Sequence, residues 1–212
     1  MASGLMILGV GKGTKELTSL IGLDKSYETT IDFSLLTDTR DASFREKEER
    51  FEVVESKEAW VACFLKKEGN LIPAPSLDQI SQLLDSILFK EEKQVLLPLP
   101  TFSAKKQNGK RLYKDARKGK AEIQEKPMKI YAYKILDYQF PLLKLRLEVG
   151  SGTYIRSIGY WLGQQLGLGG ALIQLERIST GKFQLSDIWM QTYAKGNIKG
   201  QERTIYFKEL SQ

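Results

Sequence analysis

The sequence predicts an α+β fold, because helix and strand patterns are mixed along its 212 residues without a regular strand–helix–strand repeat. Two strand patterns, over residues 128–140 and 142–149, are separated by a proline-bearing turn and predict an antiparallel hairpin. Apolar residues at helical spacing predict helices over residues 76–88 and 155–166. We therefore expect a mixed, largely antiparallel central sheet flanked by helices, rather than a doubly wound parallel sheet.

The N-terminal segment is expected to form a buried strand and a short helix. Residues 5–10 are apolar apart from Gly9 and predict the strand, which the glycine-rich turn at residues 11–15 would end. Thr14 is the predicted N-cap of a helix over residues 15–22. The strand would thus lie in the core although almost nothing precedes it in the chain.

The next part of the chain favours β-structure and then a helix. Residues 24–34 are rich in β-branched and aromatic side chains and predict a strand. Residues 37–44 are polar and predict a loop, and residues 45–54 mix charges with strand-forming side chains. Ser76 is the predicted N-cap of the helix over residues 76–88.

Residues 102–120 form a strongly basic segment. They include eight lysines and arginines together with Phe102 and Tyr113. Such side chains contact phosphates and stack on unpaired bases, so an RNA contact is one interpretation, and a solvated helix face is the other. Two glycines, Gly109 and Gly119, suggest a hinged flap.

The C-terminal part is expected to end the domain. The helix over residues 155–166 would end at Gly167, a typical position for a helix-terminating glycine. Residues beyond Trp189 are polar and weakly patterned. We therefore interpret residues 1–189 as one domain and residues 190–212 as a short C-terminal tail.

Composition excludes several kinds of site. The 32 lysines and arginines exceed the 26 acidic residues by six, which favours a polyanionic partner but also fits an ordinary basic protein. Histidine is absent, which excludes histidine bases, Ser-His triads and His-ligated metals. With Cys63 as the only cysteine, we expect no metal site and no internal disulfide, as in a reducing cytosol. No apolar run approaches the ~20 residues of a membrane helix, and the start does not read as a signal peptide.

Two glycine-containing motifs leave alternatives open. The run G-V-G-K-G-T at residues 9–14 lacks the last glycine of a dinucleotide fingerprint, and no P-loop pattern is present. A tight turn is therefore favoured over a nucleotide-binding enzyme, although Lys12 and Lys15 remain available to a phosphate. After a second glycine turn, Tyr154 and Arg156 would either point into one cleft, where an arginine pairs with a carboxylate, or serve a surface salt bridge.

Four pieces of sequence in a fixed order identify a family resemblance. They are A-S-G-L-M-I-L-G-V-G-K-G-T-K at 2–15, L-D-K-S-Y-E-T at 23–29 with T-D-T-R-D at 37–41, the basic segment at 102–119, and G-T-Y-I-R-S at 152–157. Together they resemble the TruB family of tRNA pseudouridine synthases, and the resemblance covers about residues 2–187. It implies the pseudouridine synthase fold with a basic flap.

The resemblance also implies an activity. Members of the family isomerise a T-loop uridine of tRNA to pseudouridine by breaking the N-glycosidic bond, turning the base and rejoining it through carbon. The base is flipped out of its stack to be reached. The essential group is an aspartate carboxylate, held by an arginine beside a tyrosine that stacks on the base. We therefore expect a cytoplasmic monomer that binds the tRNA T-arm and uses no metal or cofactor.

The motifs assign roles to individual residues. Tyr27 resembles the stacking tyrosine and would assist removal of the proton from the base carbon. Arg156 resembles the arginine that holds the aspartate, and Tyr154 would line the same pocket. Leu175 resembles an apolar residue packed under the base. Residues of the flap that would grip the RNA arm are Lys105, Lys106, Lys110 and Arg111.

The chain departs from the family pattern at two of these motifs. Leu175 begins L-E-R where the family usually has L-R-R. Asp38 and Asp41 resemble the family's T-D-T-x-D loop, but Phe44 stands where a glycine usually follows. That difference makes the shape of the loop uncertain from sequence alone.

The family's nucleophile lies in a motif of the form G-H-x-G-T-L-D-P-x-A-S-G-L. The printed sequence preserves A-S-G-L at residues 2–5, with Met1 at the variable position, so the aspartate is expected two residues before Met1. Without it we expect an incomplete or inactive enzyme in which Arg156 is a partly buried charge with no partner, which can cost about 3–5 kcal/mol. Asp24 is the nearest candidate substitute. The alternative function is a non-catalytic tRNA-binding module.

Overall fold

The computed structural model describes most of the chain, namely residues 2–9, 11–42, 48–55, 62–65, 71–88, 94–100, 106–107, 110–111, 124–188, 192–198 and 201–207. The described residues form three α-helices, which are α1 (Leu17–Ile21), α2 (Leu77–Ser86) and α3 (Ile155–Leu166). Short 3₁₀ turns occupy Gly11–Lys15 and Leu185–Ile188.

The strands are, in chain order, β1 (Ala2–Gly4), β2 (Lys25–Asp32), β3 (Leu35–Thr37), β4 (Glu48–Arg50), β5 (Glu52–Glu55), β6 (Ala62–Leu65), β7 (Leu71–Pro73), β8 (Val95–Pro98), β9 (Lys106–Gln107), β10 (Lys110–Arg111), β11 (Glu125–Met128), β12 (Ile130–Gln139), β13 (Leu142–Val149), β14 (Ala171–Thr180), β15 (Phe183–Gln184), β16 (Thr192–Ile198) and β17 (Gln201–Phe207).

The central sheet has the strand order β1-β14-β2-β13-β12, and β15 also pairs with β14. The pairings are antiparallel except for β1, which runs parallel to β14. The smaller pairings are β3 with β4, β5-β6-β7, β8 with β11, β9 with β10 and β16 with β17. The predicted α+β class with a mixed, largely antiparallel sheet is confirmed.

The two faces of the sheet differ because side chains alternate along each strand. In β13, Leu143, Leu145 and Leu147 are fully buried on one face. On the other face, Arg146 donates to Glu28 of β2 at 2.6 Å, in an exposed ion pair. Burying one such leucine contributes about 1.5–3 kcal/mol, so the leucine face forms the core and the charged face meets solvent.

Two helices cover the buried face, and local sequence explains their ends. Helix α2 begins after Ser76, whose Oγ accepts from the Gln79 amide while the Gln79 side chain accepts from the Ser76 amide. This is the capping box expected from the sequence. Helix α3 ends at Gly167, which adopts φ +70°. The predicted helices over residues 76–88 and 155–166 are thus confirmed, the first with a slightly shorter extent.

The strand predicted over residues 5–10 is wrong. Strand β1 ends at Gly4, whose φ of +99° turns the chain away from the sheet. Leu5 is buried and its amide still donates to the Arg177 carbonyl at 2.8 Å. Met6 and Leu8, however, are 68% and 75% exposed. An apolar run cannot by itself distinguish a strand from an irregular segment in which single side chains are buried.

The neighbouring prediction at Thr14 is also wrong. Its hydroxyl donates to the Gly11 carbonyl at 2.8 Å, within the 3₁₀ turn, instead of capping a helix. Helix α1 is accordingly shorter than the predicted helix over residues 15–22. The segment that we interpreted as a weakly patterned tail contains the antiparallel hairpin of β16 and β17.

Candidate active site

Tyr27 lies on the helix-covered face of the central sheet. Along β2, Tyr27, Thr29 and Ile31 share a face, and Ile31 is completely buried under α3. In the strand register Tyr27 is opposite Arg177 and Thr29 is opposite Leu175, both in β14. Tyr27 and Leu175 therefore occupy diagonal positions on one face, and both pack against the core while remaining partly exposed.

Arg156 lies in the first turn of α3, on the same side of the sheet. The helix begins after Tyr154, whose amide donates to the Met128 sulfur at 3.4 Å. The flanking Ile155 and Ser157 side chains are buried. Because α3 packs over β2 and β14, it brings Arg156 to the face that carries Tyr27 and Leu175.

The guanidinium of Arg156 is held by the turn at residues 37–41. Its Nη1 donates to the Thr39 carbonyl at 3.0 Å. Burial lowers the pKa of Arg156, and the nearby Asp41 carboxylate and Tyr154 oppose that shift by favouring the charged form. The expectation that Arg156 is a buried charge without a partner is therefore wrong, since the described residues themselves supply a hydrogen-bond acceptor and a compensating negative charge.

The turn itself is fixed at both ends. The Asp41 amide donates to the Thr37 hydroxyl at 3.0 Å, and the Thr39 hydroxyl donates to the Asp41 carbonyl at 2.9 Å. Asp41 also forms a bridge with Leu172 of β14. The T-D-T-R-D motif thus forms an ordered turn docked on the sheet, while Phe44, on which its shape was uncertain, lies outside the described residues.

Sequence reasoning missed Arg40, which is near enough to Arg156 to feel its charge, and Tyr160, which lies one helical turn after Arg156. Arg40 is 4% exposed, and its Cζ lies 3.9 Å from the Tyr160 ring centroid. One signal was available, because Tyr160 follows Arg156 by four residues and must share its helix face. Nothing in the sequence indicated that Arg40 would be buried there.

The remaining predicted residues are placed as follows. Tyr154 is partly buried against the core, with the Lys126 ammonium 6.0 Å from its ring centroid. Asp24 precedes β2 and accepts a hydrogen bond from Tyr131 at 3.3 Å. In the predicted flap, the backbones of Lys106, Lys110 and Arg111 belong to the paired strands β9 and β10. Lys105 lies outside the described residues.

Two kinds of site are absent from the part of the chain that the structure describes. No group of three or more histidine, cysteine or acidic side chains in it is placed to hold a metal ion. No helix in it is long and apolar enough to cross a membrane.

The arrangement can bind a flat ring and orient an anion. Tyr27 offers an aromatic face and Leu175 an apolar edge on adjacent strands. The Arg156 guanidinium has a planar, fork-shaped set of donors suited to a carboxylate or phosphate, and partial burial strengthens such a contact. A pyrimidine placed against Tyr27 would therefore lie on the face of the sheet that α3 covers, which is the side that carries Arg156.

Comparisons with known proteins place the sequence in one family. The family described as TruB family pseudouridylate synthase (N terminal domain) matches residues 1–77 and 65–155. The tRNA pseudouridine synthase B of Francisella tularensis subsp. novicida (strain U112) is 34% identical over 190 residues, which are 88% of this chain and 55% of that protein. The protein of the same name from Chloroherpeton thalassium (strain ATCC 35110 / GB-78) is 32% identical over 188 residues, or 88% and 68%. The chain thus spans about half of the Francisella protein.

Solved structures share the fold. A chain of a Cbf5-Nop10-Gar1 complex superposes with a TM-score of 0.55 at 17% identity, covering 86% of this chain and 38% of that one. A chain of the archaeal box H/ACA sRNP Nop10-Cbf5 complex gives 0.50 at 16% identity, covering 88% and 38%. The family match extends over most of the sequence and includes the segments that carry Tyr27 and the turn behind Arg156. The chain belongs to the TruB family of pseudouridylate synthases.

Proposed function

We propose that this chain acts in the isomerisation of a T-loop uridine of tRNA to pseudouridine. The observation that carries the proposal is the placement of Tyr27, Leu175 and the Arg156-bearing end of α3 on one face of the sheet. The names of its relatives, tRNA pseudouridine synthase B, support the same reaction.

The proposed roles follow from side-chain chemistry. Tyr27 stacks on the flipped base and assists loss of the proton from the base carbon, and Leu175 packs against the base. Arg156 orients the family's aspartate carboxylate, and Tyr154 lines the pocket. Uridine and pseudouridine are isomers, so breaking the C–N bond, turning the base and forming the C–C bond need no oxidant or cofactor. Residues proposed to grip the RNA arm are Lys105, Lys106, Lys110 and Arg111.

The test uses two proteins, because the printed sequence contains no G-T-L-D-P. One is the printed chain and the other carries G-H-x-G-T-L-D-P ahead of Met1. Both are incubated with a tRNA transcript labelled with tritium at C5 of uridine, since joining the base through that carbon releases its hydrogen. We expect tritium release by the extended chain and not by the printed one. Binding without release by either protein would contradict the proposed activity.

A tyrosine pair sharpens the test. Loss of base stacking costs about 1–3 kcal/mol, so Tyr27→Leu should weaken binding of a T-arm hairpin by roughly 5- to 150-fold. The control Tyr131→Leu removes a partly exposed tyrosine on β12 that bonds to Asp24. Equal affinities of the two variants would show that Tyr27 does not contact the base.

A non-catalytic tRNA-binding module is the second candidate. It is favoured by one observation, the hydrogen bond from Arg156 to the Thr39 carbonyl. This bond satisfies one of the guanidinium donors without the aspartate. It predicts equal hairpin affinity for the printed and extended chains and no tritium release from either. Binding should weaken steeply with salt as counterions are released, and a flat response between low and moderate salt would exclude it.

We further propose a cytoplasmic monomer. One chain supplies the residues proposed to contact the base, Tyr27 and Leu175, and also the turn that holds Arg156. These residues therefore require no second copy of the chain. Light scattering coupled to size exclusion should give a mass near 24.1 kDa for the printed chain. A stable dimer at micromolar concentration would contradict the monomer.

A further inference from the structure

Arg40 occupies a backbone conformation that arginine rarely adopts. Its φ is +59°, and among the described residues other than glycine no second positive φ occurs. Such a conformation is unfavourable for a residue with a Cβ and persists only when surrounding contacts hold it. The side chain is also almost completely buried, at 4% exposure, although it belongs to a polar turn.

Four contacts among the described residues hold Arg40 in place, the first being its amide, which donates to the Thr37 carbonyl at 3.2 Å. Its Nη1 donates to the Pro98 carbonyl at 2.6 Å, at the end of β8. Its guanidinium lies over the Tyr160 ring with Cζ 3.9 Å from the centroid, a cation–π contact. Its own carbonyl accepts from the Leu172 amide at 3.2 Å. Burial lowers the pKa of Arg40 to about 10, Tyr160 opposes that shift, and the charge of Arg156 adds to it.

Helix α3 and the turn hold each other reciprocally. Arg40 reaches from the turn to Tyr160 on the helix, and Arg156, one helical turn earlier, reaches back to the Thr39 carbonyl. Ser157 adds a third tie, because its Oγ donates to the same Pro98 carbonyl at 2.6 Å. The carbonyl that accepts from Arg156 belongs to Thr39, the residue directly before Arg40. The position of Arg40 therefore determines where that carbonyl lies.

We propose that Arg40 is a positioning residue that, with Tyr160, fixes the orientation of the Arg156 guanidinium. The structural part of this proposal stands by itself, and only its catalytic consequence rests on the proposed function. Misplacing a reacting group by about 1 Å can reduce a rate by roughly 100-fold. Arg40 touches neither base nor carboxylate in this scheme, and it acts through the Thr39 carbonyl.

Three substitutions separate the possible reasons for keeping Arg40. Arg40→Gln removes the charge and the stacking but leaves a side chain in the strained conformation. Arg40→Gly removes the guanidinium and also the strain, because glycine adopts positive φ freely. Tyr160→Leu breaks the same contact from the helix side. The control is Arg146→Gln, which removes an exposed arginine paired with Glu28 on the opposite face of the sheet.

The first readout does not require activity. In ¹⁵N-labelled protein, the Arg156 Nε–Hε resonance, assigned by its loss in Arg156→Lys, reports whether that side chain is fixed. We expect Arg40→Gln, Arg40→Gly and Tyr160→Leu to move or broaden it, and Arg146→Gln to leave it unchanged. A wild-type resonance in Arg40→Gly would show that only the backbone matters and would overturn the proposal, as would an equal change in the control.

The second readout uses the extended chain and single turnovers at saturating tRNA. We expect the rate constant to fall at least about tenfold in Arg40→Gln and Tyr160→Leu with the Kd for tRNA within about twofold, since geometry and not binding is lost. The double variant should be no slower than the slower single variant, because one contact is removed twice. Additive losses, or a raised Kd with an unchanged rate constant, would overturn the role. If the extended chain without substitutions releases no tritium, the proposed function fails. The Arg156 resonance still decides whether Arg40 positions the Arg156 guanidinium.

Discussion

Substituting Gly163 by alanine tests how closely α3 must approach the sheet. Gly163 faces the loop before β14, where an added Cβ would lie 2.5 Å from the Gly169 carbonyl carbon and 3.0 Å from the Gly170 amide nitrogen. These atoms are backbone and cannot rotate away. They are also fixed from the other side, because the Gly169 and Gly170 amides donate to the Phe33 and Leu35 carbonyls, each at 2.9 Å.

The structure gives the size of the effect. Ordinary contact begins near 3.4 Å and the Gly169 carbonyl oxygen is nearer still, so relieving even the 2.5 Å approach to the carbonyl carbon requires α3 and the loop to separate by at least about 0.9 Å. Alanine favours a helix over glycine by about 1 kcal/mol, and overpacking costs about 1–3 kcal/mol. A backbone obstacle places this site at the upper end, so we expect a net loss of about 2 kcal/mol in the free energy of unfolding. The same movement displaces Arg156.

Urea unfolding followed by circular dichroism measures the loss, and Gly22→Ala is the matched control. Gly22 caps α1 with φ −76°, and an added Cβ there meets nothing within 4 Å. We expect Gly22→Ala to be unchanged or more stable by about 0.4–1 kcal/mol. If Gly163→Ala unfolds at the same or higher urea concentration than wild type, helix propensity outweighs the close approach and the reasoning is refuted.

Three smaller perturbations have defined outcomes. Ser76→Ala should lower stability by about 1 kcal/mol in urea, by removing the capping box of α2; no change would mean that its hydrogen bonds are replaced. Burial raises the pKa of Tyr138 to about 12, so the folded state keeps its proton longer than the unfolded state does, and stability should fall as pH rises from 10 towards 12. The Tm of Tyr138→Phe should fall less steeply than that of the unsubstituted protein over this pH range. Arg146→Gln should change stability by less than about 1 kcal/mol, and the difference should shrink in high salt.

Elements with local signals were predictable from sequence. The β12–β13 hairpin follows from alternation on both sides of a short turn, and α2 and α3 carry their own terminating signals at Ser76 and Gly167. The β1 segment was not predictable, because its place depends on pairing with β14, about 170 residues away in the chain. The apolar residues after it predicted a strand over residues 5–10, whereas pairing ends at Gly4, which has a positive φ and lies close against the Arg177 backbone.

The candidate site shows the same division. Tyr27, Leu175 and Arg156 were identified through motifs, and strand register then places the first two on one face. Arg40 was not identified, since its burial depends on Pro98, Tyr160 and the turn meeting in three dimensions. The expectation that Arg156 has no partner was wrong for a similar reason, because the sequence does not show that a carbonyl from a distant turn accepts its hydrogen bond.

The site is therefore built from two parts that are held by different interactions. Sheet register alone fixes Tyr27 relative to Leu175, since both side chains belong to adjacent strands of one ladder. The position of Arg156 depends instead on the packing of α3 over Gly170 and on the turn that carries Arg40. A change confined to the helix contact can thus move the guanidinium while leaving Tyr27 and Leu175 in place. Under the proposed function, variants of the helix contact and of the turn should therefore lose turnover while they keep their affinity for the base.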